Sequence, residues 1–244
     1  MICKKTKCLI IHGFGGGVHE VEPLAKYLVS LGYEVSCPVL KGHSGSRKEM
    51  KKATYKDWID SAEQELLRLK ETTDEIVVIG FSMGGLIAFN LACKHKFKAI
   101  ITINTPIFYW NPYRVLLNLA DDVKNRTYNH SRRYLQAKKN SPFPAMVQFL
   151  LLLHQTKPKI EEISYPILII QAEDDDTVRL KSVDYIKEHV SSNKKIIKYF
   201  DQGGHLILLS PVAGQVMSCV EEFLSNSIKS GYNKTDNYFN DNEN

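Results

Sequence analysis

Gly80-Phe81-Ser82-Met83-Gly84-Gly85 follows the apolar run Ile76-Val77-Val78-Ile79 and precedes an apolar, helix-compatible stretch that begins near Leu86. G-x-S-x-G at a strand-to-helix junction makes a turn so sharp that the serine takes a strained backbone conformation with its hydroxyl exposed. Residues two before and two after the serine are then pressed against neighbouring backbone, and Gly80 and Gly84 suit those positions because they carry no Cβ. The first turn of the helix behind Ser82 also favours developing negative charge. A glycine-rich turn with no chemistry accounts for the glycines but leaves the serine between them unexplained.

Acyl transfer at such a serine needs two backbone N–H donors aimed at the oxyanion. One comes from the residue after the nucleophile, here Met83, and the other from a glycine-rich loop after an early strand. His12-Gly13-Phe14-Gly15-Gly16-Gly17 stands directly after the apolar run 8–11, which makes Phe14 the expected second donor. A phosphate-binding loop is the competing reading. It fails because G-x-G-x-x-G breaks at Val18 and no Gly-Lys-Ser/Thr follows. His12 reads as a hydrogen-bonding residue beside this loop, and His43, in Lys41-Gly42-His43-Ser44-Gly45, as a structural member of a loop nearby.

A serine hydroxyl is a poor nucleophile at neutral pH. It needs an imidazole to take its proton, and a carboxylate to fix the imidazole tautomer and stabilise the imidazolium. His205 lies in Asp201-Gln202-Gly203-Gly204-His205-Leu206, after the strand-like run 195–200, and an acidic loop follows the strand-like run 167–171. Within that loop Glu173, Asp174, Asp175 and Asp176 all remain open as the carboxylate on the residues alone. The order serine, acid, histidine, each at the carboxyl end of a strand, is that of the α/β-hydrolase arrangement.

Short apolar runs (8–11, 33–39, 75–79, 99–103, 167–171, 195–200) alternate with helix-like patterns over 21–31, 55–70, 86–94, 180–189 and 211–228. Such alternation predicts a mostly parallel sheet with helices on both faces. The chain has 244 residues, 43% hydrophobic and 24% charged, which suits an ordinary globular domain and excludes disordered, collagen-like and disulfide-stapled classes. Between residues 107 and 160, nine basic residues face two acidic ones, against a net charge of +5 for the whole chain. The plain reading of that asymmetry is a solvated face; attraction of anionic substrates or surfaces is the alternative. No apolar stretch approaches a membrane span, and the N-terminal run is too short for a signal peptide. The five cysteines are scattered and read as reduced thiols, so a cytoplasmic protein with no stable membrane insertion is expected. No metal-ligand spacing appears, and neither a metal nor a cofactor is implied. Nothing points to nucleic acid.

The sequence resembles the small bacterial serine carboxylesterases of the α/β-hydrolase superfamily, related to monoacylglycerol lipases. The resemblance is carried by Leu9-Ile10-Ile11-His12-Gly13-Phe14, Gly32-Tyr33, Lys41-Gly42-His43, Asp57-Trp58, the motif at 80–85, Gln171-Ala172 with Asp175, and Gly204-His205 with Leu206 and Leu208. In that family the acid falls five residues into the Gln-Ala motif with an aliphatic residue three later, which favours Asp175, followed by Val178. The resemblance also implies Phe14 and Met83 as oxyanion donors and a small helical cap over the site. The chain departs from the family at Gly15-Gly16-Gly17, where such esterases carry more polar side chains, and in its basic cap.

These readings divide the chain into an α/β-hydrolase core (1–106 and 164–230), a helical cap (107–163, with helices near 113–119 and 145–153) and a disordered, Asn-rich tail (231–244). The stretch 145–151 is apolar nearly all round, so Met146, Phe149 and Leu150, with Trp110, are candidates to line an acyl pocket. The aromatic residues of the cap serve equally well as its own small core. The expected activity is cleavage of small-molecule carboxylic esters, with short to medium acyl chains, through an acyl-enzyme on Ser82, His205 and Asp175. Monoacylglycerol lipase or lysophospholipase, thioesterase and C–C hydrolase are the alternatives within the serine class. A non-catalytic ligand receptor is the alternative outside it.

Overall fold

The computed structural model describes residues 5–109, 124 and 141–232, with only the backbone given at 228–232. Six strands, β1 (Lys7–Ile11), β2 (Glu34–Ser36), β3 (Ile76–Phe81), β4 (Ala99–Ile103), β5 (Ile167–Ala172) and β6 (Lys195–Phe200), form one sheet in the order β2-β1-β3-β4-β5-β6. All neighbouring pairs are parallel. The helices between them are α1 (Glu22–Ser30), α2 (Arg47–Lys52), α3 (Tyr55–Lys70), α4 (Met83–Ala92), α5 (Phe143–Thr156), α6 (Lys181–His189) and α7 (Ala213–Tyr232).

Strand side chains alternate between two cores, as a period of two requires. Leu9, Ile11, Ile76, Val78, Ile100, Ile167 and Ile169 pack with α3, α4, α5 and α6. Cys8, Ile10, Val77, Ile79, Ile101, Leu168 and Ile170 pack with α1 and α7. The central strands β3, β4 and β5 are buried at every position, which explains their unbroken apolar runs. The chain leaves β1 toward one edge of the sheet and resumes at β3 on β1's other side. That reversal opens a crevice at the carboxyl ends of β1 and β3.

Several boundaries differ from the sequence reading. Strand β2 covers three residues rather than 33–39, because it is an edge strand paired only with β1. Helix α2 was not expected: Arg47-Lys48-Glu49-Met50-Lys51-Lys52 has one apolar residue and hence no periodicity. It begins on a Ser46 side chain that accepts the Glu49 N–H. Helix α7 continues two residues into the stretch read as disordered, and the rest of that tail, like the expected helix near 113–119, lies outside the described residues.

After β4 the chain is described through Tyr109, at residue 124 and again from Ser141. Phe108 and Tyr109 are tied to the segment that follows β5. The Arg179 N–H donates to the Phe108 carbonyl (3.1 Å), the Phe108 N–H to Ser182 Oγ (2.9 Å), and Tyr109 forms an antiparallel bridge with Val178. On the return side, the Lys157 ammonium lies 4.8 Å from the Phe108 ring centre and 4.7 Å from that of Tyr185. No helix among the described residues is long and apolar enough to cross a membrane.

Candidate active site

Ser82 stands between β3 and α4 with φ 52° and ψ −121°, a conformation that L side chains rarely adopt. Sterics of the glycines permit it. A Cβ on Gly80 would lie 2.4 Å from the backbone of Gly84 and Gly85, and one on Gly84 would lie 2.1 Å from the Ile11 carbonyl oxygen. The Ser82 N–H donates to the Ile103 carbonyl (2.8 Å), so the turn is also tied to the end of β4.

His205 Nε2 lies 3.0 Å from Ser82 Oγ, and His205 Nδ1 lies 2.9 Å from Asp175 Oδ2. An ionised carboxylate only accepts, so Nδ1 carries the proton and Nε2 is left to receive the serine O–H. The Asp175 side chain is fully buried. Its Oδ1 accepts the N–H groups of Thr177 (2.7 Å) and Val178 (3.0 Å), and its Oδ2 also accepts Gln171 Nε2 (3.4 Å). Burial works against the imidazolium of His205, but the Asp175 carboxylate, with Glu20 and Asp176 adding to it, more than offsets this and holds the pKa above the ordinary value.

Of the four neighbouring acids, Asp175 alone touches the imidazole among the described residues. Asp174 accepts the Gly203 and Gly204 N–H groups (3.2 and 2.8 Å) and so anchors the histidine loop. Asp176 accepts the Thr177 hydroxyl, and Glu173 lies on the surface.

A second anchor is Asn104, at the end of β4. It is fully buried, with φ 47°. Its Nδ2 donates to the carbonyls of Gly204 (3.0 Å) and His205 (2.8 Å), and its Oδ1 accepts the Ala172 N–H (2.9 Å). It thereby joins the loop carrying the acid to the loop carrying the histidine. Sequence reasoning missed Asn104 because these partners lie 68 to 101 residues away.

On the other flank, the loop after β1 passes against Ser82: a Cβ on Gly13 would lie 3.3 Å from that of Ser82. Gly13 donates its N–H to Glu20 Oε2 (3.1 Å), and Gly15 donates to His43 Nε2 (3.3 Å). The N–H groups of Phe14 and Met83 have no protein acceptor among the described residues. Burial lowers the pKa of His43, which keeps the ring neutral and its Nε2 an acceptor. Burial likewise lowers His12 to about 4. His12 accepts the Leu40 N–H at Nε2 (3.3 Å), and its Nδ1 faces the Gly13 carbonyl at 2.9 Å, so both ring nitrogens are engaged by the loops at Gly13 and Leu40.

The Phe14 ring stacks on Phe149 of α5 (5.2 Å between centres), and Tyr109 meets Phe149 edge-on (5.0 Å). Phe149 is buried and Met146 is half-buried against the same core. Leu150 is 48% exposed, because neighbouring positions on a helix point about 100° apart and Phe149 takes the inward one. Trp110 lies outside the described residues.

Residues 9–157 match the family described as the alpha/beta hydrolase fold. The chain is 31% identical over 212 residues to the thermostable monoacylglycerol lipase of Bacillus sp. (strain H-257), a match covering 82% of this chain and 83% of that one. It is 24% identical to a carboxylesterase of Bacillus subtilis (strain 168), over 88% and 91% of the two chains. Among solved structures, one of the metagenome-derived lipolytic enzymes LipS and LipT superposes with a TM-score of 0.76 at 20% identity, covering 92% of this chain and 95% of that one.

Proposed function

The chain belongs to the α/β-hydrolase family, and from that premise we propose that it is a serine hydrolase of small carboxylic esters, working through an acyl-enzyme. The observation that carries this reading is the relay from Asp175 through His205 to Ser82, with both links at hydrogen-bond distance. Ser82 attacks the ester carbonyl while His205 Nε2 takes its proton. The oxyanion is received by the N–H groups of Phe14 and Met83, each worth about 3 kcal/mol in the transition state. His205 then protonates the leaving alcohol, and water repeats the cycle on the acyl-enzyme.

The same proposal treats residues 107–163 as a cap on a core of 1–106 and 164–230, supported by the contact of α5 with Phe14. Met146 and Phe149 line the acyl side in this reading. Each buried methylene adds up to about 0.8 kcal/mol, which favours short to medium chains over acetate.

Monoacylglycerols are the second substrate class, favoured by the 31% identity to the Bacillus lipase. A panel of p-nitrophenyl esters of increasing acyl length, run beside monoacylglycerol, lysophospholipid and a thioester, separates the readings. A flat acyl-length profile removes the acyl-pocket assignment. Ser82→Ala is expected to lower kcat by on the order of 10⁶ and to abolish labelling by a fluorophosphonate, because the triad acts as a unit. Labelling of the parent without repeated turnover would instead identify a ligand receptor.

A further inference from the structure

Glu20 is a buried carboxylate that the mechanism above does not use. It is 8% exposed, sits in the short turn preceding α1, and has no lysine or arginine within ion-pair distance among the described residues. It is wedged beneath the loop that follows β1. A Cβ on Gly16 would fall 2.1 Å from the Glu20 carboxylate, and one on Gly13 would fall 3.1 Å from Glu20 Oε2 and 3.3 Å from Ser82 Cβ. The absence of a side chain at Gly16 makes the room that Glu20 fills. Of the three consecutive N–H groups in this loop, the outer two are committed to buried acceptors, Gly13 to Glu20 and Gly15 to His43. The middle one, of Phe14, is left without a protein acceptor among the described residues.

We infer that Glu20 is a positioning residue for the reaction proposed above: its carboxylate, wedged under Gly16, holds the Gly13 peptide so that the Phe14 N–H stays available to the oxyanion. This rests on the serine-hydrolase reading and adds a second carboxylate to it. The charge is balanced among few groups. Burial pushes the Glu20 carboxyl up, while His205, the Gly13 and Gly17 N–H groups and His19 favour its ionised form. Besides Glu20, the charged groups acting on His205 are Asp175 and Asp176. An isolated buried carboxylate costs several kcal/mol. Here the Gly13 and Gly17 N–H groups compensate it.

Glu20→Gln keeps the volume and an acceptor oxygen for Gly13 but removes the charge; Glu20→Ala removes both. The readout is steady-state kcat and KM on a p-nitrophenyl ester at the pH plateau, with Ser82 labelling by a fluorophosphonate, which needs no knowledge of the natural ester, beside it. Glu20→Gln, which keeps an acceptor oxygen for the Gly13 N–H, is expected to hold plateau kcat within about tenfold of the parent. Glu20→Ala is expected to lower plateau kcat by about 10²-fold with KM little changed, as for loss of one oxyanion donor. Glu20→Asp, which draws the acceptor back from the Gly13 N–H, is expected to fall between the two and supplies the comparison should Glu20→Ala fail to fold. A plateau kcat in Glu20→Ala that coincides with the parent's, or one in Glu20→Gln that falls as far as that of Glu20→Ala, overturns the inference. Failure of the parent to label at Ser82 overturns the serine-hydrolase reading itself, so the two failures are distinct.

Discussion

The two flanks of the site are held by different physics. On the β1–β3 flank, backbone packs on backbone: Gly80 and Gly84 touch neighbouring main chain so closely that no Cβ fits. On the β4–β6 flank, side chains bind loops: Asn104, Asp174 and Asp175 together take up carbonyls and N–H groups of the segments that carry the acid and the histidine. Steric locking fixes a position to within a fraction of an ångström and tolerates no substitution. Locking by hydrogen bonds is graded, because each bond contributes separately, about 1 kcal/mol net.

The largest effect that tests this contrast belongs to the second flank. Asp175→Asn is expected to lower kcat by about 10⁴, because the amide no longer selects the imidazole tautomer. Asp174→Asn, which only weakens the hold on Gly203 and Gly204, is expected to stay within about tenfold of the parent. Steady-state kinetics on one ester ranks the pair, and a reversed order would transfer the orienting role to Asp174. Next comes the first flank. Gly84→Ala drives a methyl group into the Ile11 carbonyl and is expected to cost at least about 3 kcal/mol in urea unfolding, or to yield no folded protein. Full stability in that variant would show that the turn can relax. A smaller loss of stability than that of Gly84→Ala is expected for Asn104→Gly. Glycine keeps the positive φ, so the loss is mainly that of three hydrogen bonds. Stability is expected to fall by about 1–3 kcal/mol, with kcat reduced roughly tenfold and KM unchanged. A change in KM alone would sharpen the contrast differently, by placing Asn104 in substrate binding.

The contrast also explains what the sequence could reveal. Steric locking leaves a pattern of letters, since glycines are forced into fixed places around Ser82, and the sharp turn between β3 and α4 was legible. Strand–helix alternation was legible for the same reason: buried strands must be apolar at every position. Locking by hydrogen bonds leaves no such trace. Asn104 and Asp174 act on residues tens of positions away, and nothing in their neighbours announces it. The four acids after β5 could not be ranked from composition, because their difference lies in which one the turn at Thr177 and Val178 points inward. Helix α2 was missed for want of apolar periodicity, although Ser46 and Glu49, three residues apart, carry a helix-start signature.

The ties at Phe108 and the lysine that lies over its ring have a corollary for chain length. The two ends of the segment between Phe108 and Lys157 meet at one junction, where the Lys157 ammonium lies over the rings of both Phe108 and Tyr185. Chain added between those ends changes the closure entropy by only about 0.6 kcal/mol per doubling of length. Chain length between Phe108 and Lys157 can therefore vary at small entropic cost, while the sheet that carries Ser82, Asp175 and His205 remains as it was.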